Sequence, residues 1–347
     1  LKRFLVAFCA LALLGAASPT SPTIAQMAPY LHAQRMVDIG GRRLNIYCTG
    51  SGSPTVILDS GLGGSTEVWY KVQGPISRRT RVCSYDRAGM GFSDGTTTKR
   101  DPNAVVSDLH TLLHRAEIKP PYVLVGHSIA GLYEPLYADR YPTEVAGMVL
   151  VDPSRPFQAQ RYAAVAPAMA KLANGQQVFL KKCYRYLSRG NPTAAQLHYC
   201  GFLTAAQQRA ACAKESPAQC ALDKVQTAQW LRPLAMFDDM SELDSFWAGD
   251  SGSMEVQRAQ RYYGSMPLIV LTADDGPQHT RGMPPKFPKS QAVALWKVWK
   301  SMHDQLAAYS SVGINVVVHN TGHYIQQDQP NVVISAVDKV VDQVRSR

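Results

Sequence analysis

One stretch, residues 122–132, constrains what this chain can fold into more than any other. It reads Tyr-Val-Leu-Val-Gly-His-Ser-Ile-Ala-Gly-Leu, in which an apolar run passes directly into small residues and then into a helical pattern. This order predicts a buried strand, a sharp turn and a helix. A turn of this kind strains the backbone of its central residue, needs small flanking residues and lifts the central side chain clear of the sheet. Ser128 is therefore a candidate nucleophile.

Apolar strands alternate with helical patterns along the rest of the chain. Because most of these strands are uniformly apolar, they predict a parallel sheet covered by helices on both faces. The predicted strands are 35–40, 43–48, 54–59, 80–85, 122–125, 145–151, 266–272 and 314–319. Helices are predicted over 66–76, from 101 onwards, over 132–139 and 290–309, and through 333–344.

The segment 154–265 has a different texture from the chain on either side of it. It is rich in Ala, Gln and Arg, contains four of the cysteines and shows no convincing strand pattern. We expect a mainly helical cap inserted into a core that is formed by 26–153 and 266–347. The length of the chain also exceeds one simple domain and fits a core with an insertion.

The first 25 residues are predicted to be a secretory signal peptide. Lys2 and Arg3 precede an apolar run over 4–17, and small residues follow. The run is shorter than the roughly 20 residues that cross a bilayer, so no membrane span is predicted. Six cysteines remain beyond this segment, and an even number in an exported chain favours disulfides. We expect a secreted or periplasmic protein.

Charge and cysteine spacing argue against two classes of partner. The formal charge of +10 comes from scattered Lys and Arg residues, a pattern typical of a solvated basic surface, so nucleic acid is not an expected partner. The cysteines form no C-x-x-C pair and have no His-rich partner, so no metal is expected.

A serine hydroxyl needs a base within hydrogen-bond reach, and an acid that orients the base. The best candidate base is His323, which lies in a predicted loop after the strand 314–319. This loop is at the carboxyl end of a strand, where open α/β proteins build their sites. His127 adjoins Ser128 but is expected to point away from it, and His319 lies within the strand, so both are weaker candidates.

Four motifs together resemble the α/β-hydrolase superfamily of the capped serine-esterase type. They are Asp-Ser-Gly-Leu-Gly-Gly at 59–64, Tyr-Asp-Arg-Ala-Gly-Met-Gly-Phe-Ser-Asp at 85–94, Gly-His-Ser-Ile-Ala-Gly at 126–131 and Thr-Gly-His at 321–323. The resemblance extends over 35–347. It implies a mostly parallel eight-stranded sheet flanked by helices, with the cap after the sixth strand and a Ser-Asp-His order of site residues.

The resemblance also implies roles for residues that the sequence pattern does not assign by itself. The backbone N–H groups of Leu62 and Ile129 would form an oxyanion hole, the pair of donors that stabilises developing negative charge. Ser60 stands where many family members have histidine. A Cys48–Cys83 disulfide is implied, with the other four cysteines stapling the cap. The charged residues of 85–94 are expected to form buried ion pairs near the floor of the site.

The identity of the acid stays open. The usual family position follows the strand after the cap, here occupied by Asp274 and Asp275, although both come early for the usual register. Asp152 ends the strand 145–151, and some family members draw their acid from that strand. We take Asp152 as the first choice, with Asp275 and then Asp274 as alternatives.

The resemblance implies hydrolysis of small carboxylic esters through an acyl-enzyme, without a cofactor. Carbon–carbon bond hydrolases, lactonases, amidases and peptidases share the serine arrangement and stay open, as does a non-catalytic binding protein with this fold. Epoxide hydrolases and haloalkane dehalogenases that resemble this scaffold carry Asp at the position of Ser128.

Overall fold

The computed structural model describes residues 22–248 and 261–347, except 278, 280, 282 and 285. Eight strands form one sheet in the order β1-β2-β4-β3-β5-β6-β7-β8. They are β1 (Arg35–Asp38), β2 (Arg43–Thr49), β3 (Thr55–Asp59), β4 (Val82–Tyr85), β5 (Tyr122–His127), β6 (Val145–Val151), β7 (Leu268–Asp274) and β8 (Ile314–His319). β2 is antiparallel to β1 and to β4, and all other neighbours are parallel.

The central strands are uniformly apolar because both faces of the sheet are covered. Along β5, Tyr122 and Leu124 belong to the core on one face, and Val123 and Val125 to the core on the other. This alternation follows from the two-residue period of a strand. A single apolar run therefore supplies both halves of the core.

Helices form the two outer layers of the core. α1 (Ile24–Met27), α2 (Gln73–Ser77), α3 (Pro102–Arg115) and α4 (Ala130–Arg140) precede the cap, and α11 (Lys289–Ala307), α12 (Ile325–Asp328) and α13 (Pro330–Arg345) follow it. α3, α4 and the end of α11 pack on one face of the sheet, and α2 and α13 pack on the other. α3 begins as predicted, with the Asp101 side chain accepting from the Ala104 N–H at 2.9 Å.

The predicted helix over 66–76 is wrong. The structure has a 3₁₀ turn at Thr66–Trp69 and then the separate short helix α2. Pro75 explains the break, because proline has no N–H to donate and is tolerated only in the first turn of a helix. A helix that contains Pro75 must therefore begin shortly before it, as α2 does at Gln73.

Beyond β6 the chain forms the predicted helical segment, without a strand among its described residues. Its helices are α5 (Gln158–Val165), α6 (Pro167–Leu187), α7 (Ala194–Tyr199), α8 (Ala205–Cys212), α9 (Pro217–Trp230) and α10 (Pro233–Ala248). Disulfides Cys183–Cys200 and Cys212–Cys220 lie within it. Cys48–Cys83 joins β2 to β4, where the two residues are register partners. The Cys48–Cys83 pair agrees with the expectation from resemblance, as does the placement of the other two disulfides in the cap, whose pairing the resemblance left open.

The amino-terminal segment packs on the cap. Met27 and Tyr30 are buried in one cluster with Ala218 and Leu222 of α9. The predicted signal peptide, 1–25, lies almost entirely outside the described residues. Within the described residues, no helix combines the length and the apolar character that crossing a membrane requires.

Candidate active site

Ser128 occupies the tight turn between β5 and α4. Its φ is 55°, in the left-handed region that a non-glycine residue adopts only under strain. Backbone bonds hold the turn: the Ser128 N–H donates to Val151 O at 3.1 Å, and its carbonyl accepts from the N–H groups of Gly131 and Ser154 at 2.9 and 2.6 Å. These bonds fix the serine at the carboxyl end of the sheet.

The small residues around the turn are required by close packing. A Cβ added at Gly126 would lie 2.6 Å from Cγ of Glu134, and one at Gly131 would lie 2.4 Å from the carbonyl oxygen of Ser154. Neither contact is tolerable, because real Cβ atoms do not approach so closely. Ala130 is buried within the first turn of α4. Its methyl group fits where the motif more often has glycine.

His323 brings its ring to Ser128 from the loop after β8. Its Nε2 lies 2.8 Å from Ser128 Oγ, and its Nδ1 lies 2.6 Å from Asp152 Oδ2. The three side chains therefore form a continuous hydrogen-bonded chain. His323 retains 40% side-chain exposure whereas Asp152 retains 4%, so the histidine is accessible to a small molecule and the carboxylate is not.

Asp152 is anchored as an ionised acceptor. Its Oδ1 accepts from the Ala273 N–H at 2.9 Å and from the Trp299 indole N–H at 2.7 Å. Burial alone raises the pKa of this carboxyl, but the hydrogen bond from His323, the charge of the protonated His323 ring and the Ala273 N–H together hold it below its ordinary value. Asp152 therefore carries negative charge beside the imidazole at neutral pH.

The two alternative aspartates lie elsewhere on the rim. Asp274 ends β7 beside its register partner His319, and its Oδ2 lies 2.6 Å from the His319 Nδ1. Asp275 lies 3.2 Å from the His279 Nδ1 and accepts from the Arg281 N–H at 2.5 Å. The structure thus brings Asp152, and not either alternative, against His323.

His127 points away from the nucleophile, as expected. Its Nε2 lies 2.9 Å from the carbonyl oxygen of His323, and since a carbonyl only accepts, this nitrogen carries the proton. Burial and the nearby His323 ring lower the pKa of His127 to about 3. A neutral His127 therefore holds the backbone of the loop that carries His323.

Two side chains of α11 support Asp152 and were not identified from the sequence. Trp299 donates to the carboxylate, and His303 donates from Nε2 to the carbonyl oxygen of Pro153 at 2.8 Å. Burial lowers the pKa of His303 to about 4, so it stays neutral. The sequence does contain a signal for both residues, because they lie on the same buried stripe of the helix as Leu295 and Leu306.

The predicted oxyanion loop presses against the serine turn. A Cβ added at Gly61 would lie 2.8 Å from the His127 Nδ1 and 3.1 Å from Cβ of Ser128. Ile129, the other predicted donor, directly precedes α4. Leu62 contacts both the core and the cap cluster that contains Phe179.

A buried arginine links this loop to the cap. Arg87 Nη1 donates to Asp59 Oδ1 and to Ser60 O, both at 2.6 Å, and Nη2 donates to Gly61 O at 2.8 Å. Its Nε donates to Glu242 of α10 at 3.0 Å. The buried ion pairing expected from the motif at 85–94 is present, and it includes a cap residue that the sequence did not reveal.

A sequence profile of the alpha/beta hydrolase family matches residues 56–336. The chain belongs to this family. The uncharacterized protein YqjL of Bacillus subtilis (strain 168) is 23% identical to this hydrolase over 289 residues, which is 83% of each chain. A thermophilic esterase from Thermogutta terrifontis is similar in structure, with a TM-score of 0.53 and 17% identity over 87% of this chain and 94% of that one. The epoxide hydrolase CorEH is similar with a TM-score of 0.57 and 16% identity, covering 89% and 98%.

The predictions of family and fold class are confirmed by these findings together with the sheet order. At the low identities of the structural neighbours, the likeness concerns the fold of this hydrolase. Its chemistry has to be argued from the site.

Proposed function

We propose that this protein hydrolyses carboxylic esters of small molecules through a covalent acyl-enzyme. The observation that carries the proposal is the chain from Ser128 through His323 to Asp152, with contacts of 2.8 and 2.6 Å. Such a chain converts a hydroxyl into a nucleophile at neutral pH. We assign Ser128 as the nucleophile, His323 as the general base and Asp152 as the orienting acid.

In the proposed first half-reaction, Ser128 Oγ attacks the ester carbonyl carbon while His323 Nε2 takes the hydroxyl proton. The carbonyl oxygen becomes an oxyanion that accepts from the N–H groups of Leu62 and Ile129. Collapse of this intermediate breaks the bond to the alcohol oxygen, and His323 returns the proton to that oxygen. Asp152 stays ionised throughout and stabilises the transient imidazolium.

In the second half-reaction, water attacks the acyl-enzyme and His323 takes one of its protons. The bond to Ser128 Oγ breaks, the proton passes to this oxygen, and the carboxylic acid leaves. No step requires a metal or a cofactor. Neutral His127 and His303 do not compete for these protons, because their lowered pKa values keep both rings uncharged.

A serine at position 128 argues against the epoxide-opening chemistry of a neighbour such as CorEH. Enzymes of this fold that open epoxides attack with an aspartate, and a serine would leave an ether that water does not cleave. Lactones, amides and activated carbon–carbon bonds stay within reach of the same serine. We favour esters because, of these reactions, ester cleavage demands the least from a serine nucleophile.

We further propose that the protein works outside the cytoplasm. Three disulfides persist only in an oxidising compartment, and two of them lie in the cap. A predicted signal peptide over 1–25 agrees with this. Secretion and periplasmic retention are both compatible with these features.

Labelling by a fluorophosphonate probe tests the nucleophile, because only an activated serine reacts with it. We expect labelling of the parent, no labelling of Ser128→Ala and full labelling of Ser335→Ala, a control at an exposed serine of α13. On p-nitrophenyl esters of increasing chain length, Ser128→Ala should lose at least about 10⁴-fold in kcat.

The outcomes of the two assays separate the rivals. A folded parent that neither labels nor turns over any ester would refute the hydrolase proposal and support a binding protein. Labelling without ester turnover, together with hydrolysis of a lactone, a peptide or a dienone, would retain the nucleophile and replace the substrate class.

A further inference from the structure

A cluster of two histidines and a glutamate lies at the edge of the sheet opposite Ser128. His110 and His114 stand one turn apart on α3, and Glu144 directly precedes β6. One ligand atom from each of the three side chains lies within 4.8 Å of the others. From these residues we propose that this corner binds a divalent transition-metal ion, specifically Zn²⁺, as a structural site.

The spacing of the ligand atoms fits a metal site as well as it fits a pair of long hydrogen bonds. Glu144 Oε1 lies 3.3 Å from the His110 Nε2 and 3.1 Å from the His114 Nε2. Charge-assisted hydrogen bonds are usually shorter, about 2.7–2.9 Å. Ligand atoms of a tetrahedral zinc with bonds of about 2.0–2.1 Å are about 3.3 Å apart. Both observed separations are therefore close to the edge of a zinc tetrahedron.

The donor set fits the chemistry of zinc. Two imidazoles at positions i and i+4 of a helix face the same side, and with one carboxylate they supply three ligands to a borderline ion. Imidazole favours Zn²⁺, Cu²⁺ or Ni²⁺ over Mg²⁺ and Ca²⁺. The His114 side chain is 56% exposed, so water can reach the fourth position.

The ligands are held before any ion binds. The Tyr137 hydroxyl donates to Glu144 Oε2 at 2.6 Å, which directs Oε1 toward the histidines. The Glu144 N–H donates to Tyr141 O at 3.0 Å, and its carbonyl accepts from the Tyr122 N–H at 2.7 Å. The His110 ring stacks on Tyr141 at 3.7 Å between centroids. Little ordering is therefore required on binding.

The location predicts a role in stability rather than in catalysis. Glu144 and Asp152 flank the seven-residue strand β6 and are eight residues apart, which is about 26 Å at 3.3 Å per residue. An ion here would join α3 to the short segment between α4 and β6. The proposal departs from the sequence-based expectation of no metal, and it does not depend on the proposed function.

The test uses the full chain without an affinity tag, freed of metal by a chelator that is then removed. Isothermal titration with ZnCl₂ should give a Kd on the order of 1 µM, and the melting temperature should rise with Zn²⁺ concentration. CoCl₂ should produce the strong visible absorption of tetrahedral Co²⁺. His114→Ala and Glu144→Gln should each weaken Zn²⁺ binding at least about tenfold and abolish the thermal shift. His198→Ala, at an exposed histidine of α7, should bind like the parent.

A second cluster, formed by Asp274, Asp275 and His279, also has ligand atoms within 4.8 Å of one another. The variant His279→Asn distinguishes ion binding at this cluster from binding at the proposed site. The proposal is supported if His114→Ala loses one bound ion. It is supported equally if the parent also binds a second ion that only His279→Asn removes. Two results overturn it. One is unchanged binding in both His114→Ala and Glu144→Gln, and the other is a parent that binds no Zn²⁺ more tightly than about 1 mM.

Discussion

Replacing Asp152 with asparagine tests the proposed acid, because the structure determines how the new side chain must lie. Oδ1 of Asp152 accepts from two fixed donors, the Ala273 N–H and the indole N–H of Trp299. An amide NH₂ at that position would face both donors, so the introduced asparagine has to present its oxygen there. Its NH₂ group is therefore directed at the His323 Nδ1.

The consequence is the wrong tautomer of the histidine. An NH₂ group donates, so the His323 Nδ1 has to accept and the proton moves to Nε2, which lies 2.8 Å from Ser128 Oγ. A protonated Nε2 cannot take the serine proton. We expect kcat to fall about 10⁴-fold, as this change does in other enzymes with the same arrangement. That loss corresponds to about 5.4 kcal/mol of transition-state stabilisation.

The assay measures kcat and KM on a p-nitrophenyl ester, together with the rate of fluorophosphonate labelling, for Asp152→Asn, Asp274→Asn and Asp275→Asn. Melting curves establish that each variant is folded. We expect Asp274→Asn and Asp275→Asn to stay within about tenfold of the parent, since their partners are His319, His279 and the Arg281 N–H. An Asp152→Asn enzyme within tenfold of the parent, beside an impaired Asp275→Asn enzyme, would refute the reasoning and move the acid to the loop after β7.

Two further predictions concern the loop and the cap. Gly61→Ala puts a Cβ 2.8 Å from the His127 Nδ1 and 3.1 Å from Cβ of Ser128, so kcat should fall about 10–10²-fold with a smaller change in KM, measured by ester kinetics. In the cap, burial and the charge of Glu242 raise the pKa of Asp239 in the folded state to about 7. Because the unfolded-state pKa is about 4, the free energy of unfolding falls as the pH rises from about 4 to 7. Asp239→Asn should therefore stabilise the protein at pH 8 by at most about 4 kcal/mol and hardly at pH 4; a pH-independent effect in denaturant unfolding would contradict this.

The residues of the proposed site were predictable where the signal is local. Ser128 follows from an apolar run that ends in small residues, and His323 and Asp152 follow from their positions at the ends of predicted strands. Parallel strands end at the same edge of a sheet, so identifying β5, β6 and β8 is enough to bring these three residues together. Predicting the Cys48–Cys83 disulfide also required the strand order of the sheet, which only the family resemblance supplied.

The sequence ranks Asp152 first among the aspartates but leaves Asp275 and Asp274 open, because the choice depends on which groups β7 offers to its neighbour. β7 supplies a backbone donor, the Ala273 N–H, to Asp152 and directs Asp274 to His319. Contacts between distant segments were equally hidden. Glu242 comes from the cap to Arg87 in the core, across 155 residues of sequence.

The three proposed zinc ligands differ in the same way, because two of them are visible in a local pattern and the third is not. Histidines at 110 and 114 form an i, i+4 pair that is visible in a helical pattern. The third ligand, Glu144, lies 30 residues further on, and it meets the pair only because α3 packs beside the α4–β6 connection. Hydrophobic periodicity identifies the helix but not the neighbour of its polar face.

Arg87 gives a physical reason why Ser60 can replace the histidine that is frequent in related loops. A trans peptide directs its C=O and its N–H to opposite sides, so a bond to one fixes the direction of the other. Arg87 holds the Gly61 carbonyl at 2.8 Å, which turns the N–H of Leu62 away from the guanidinium. Ser128 also lies close to this loop, since a Cβ at Gly61 would come within 3.1 Å of the Ser128 Cβ. We infer that the carbonyl bonds to Arg87 orient the proposed oxyanion donor, so the side chain at position 60 need not do so.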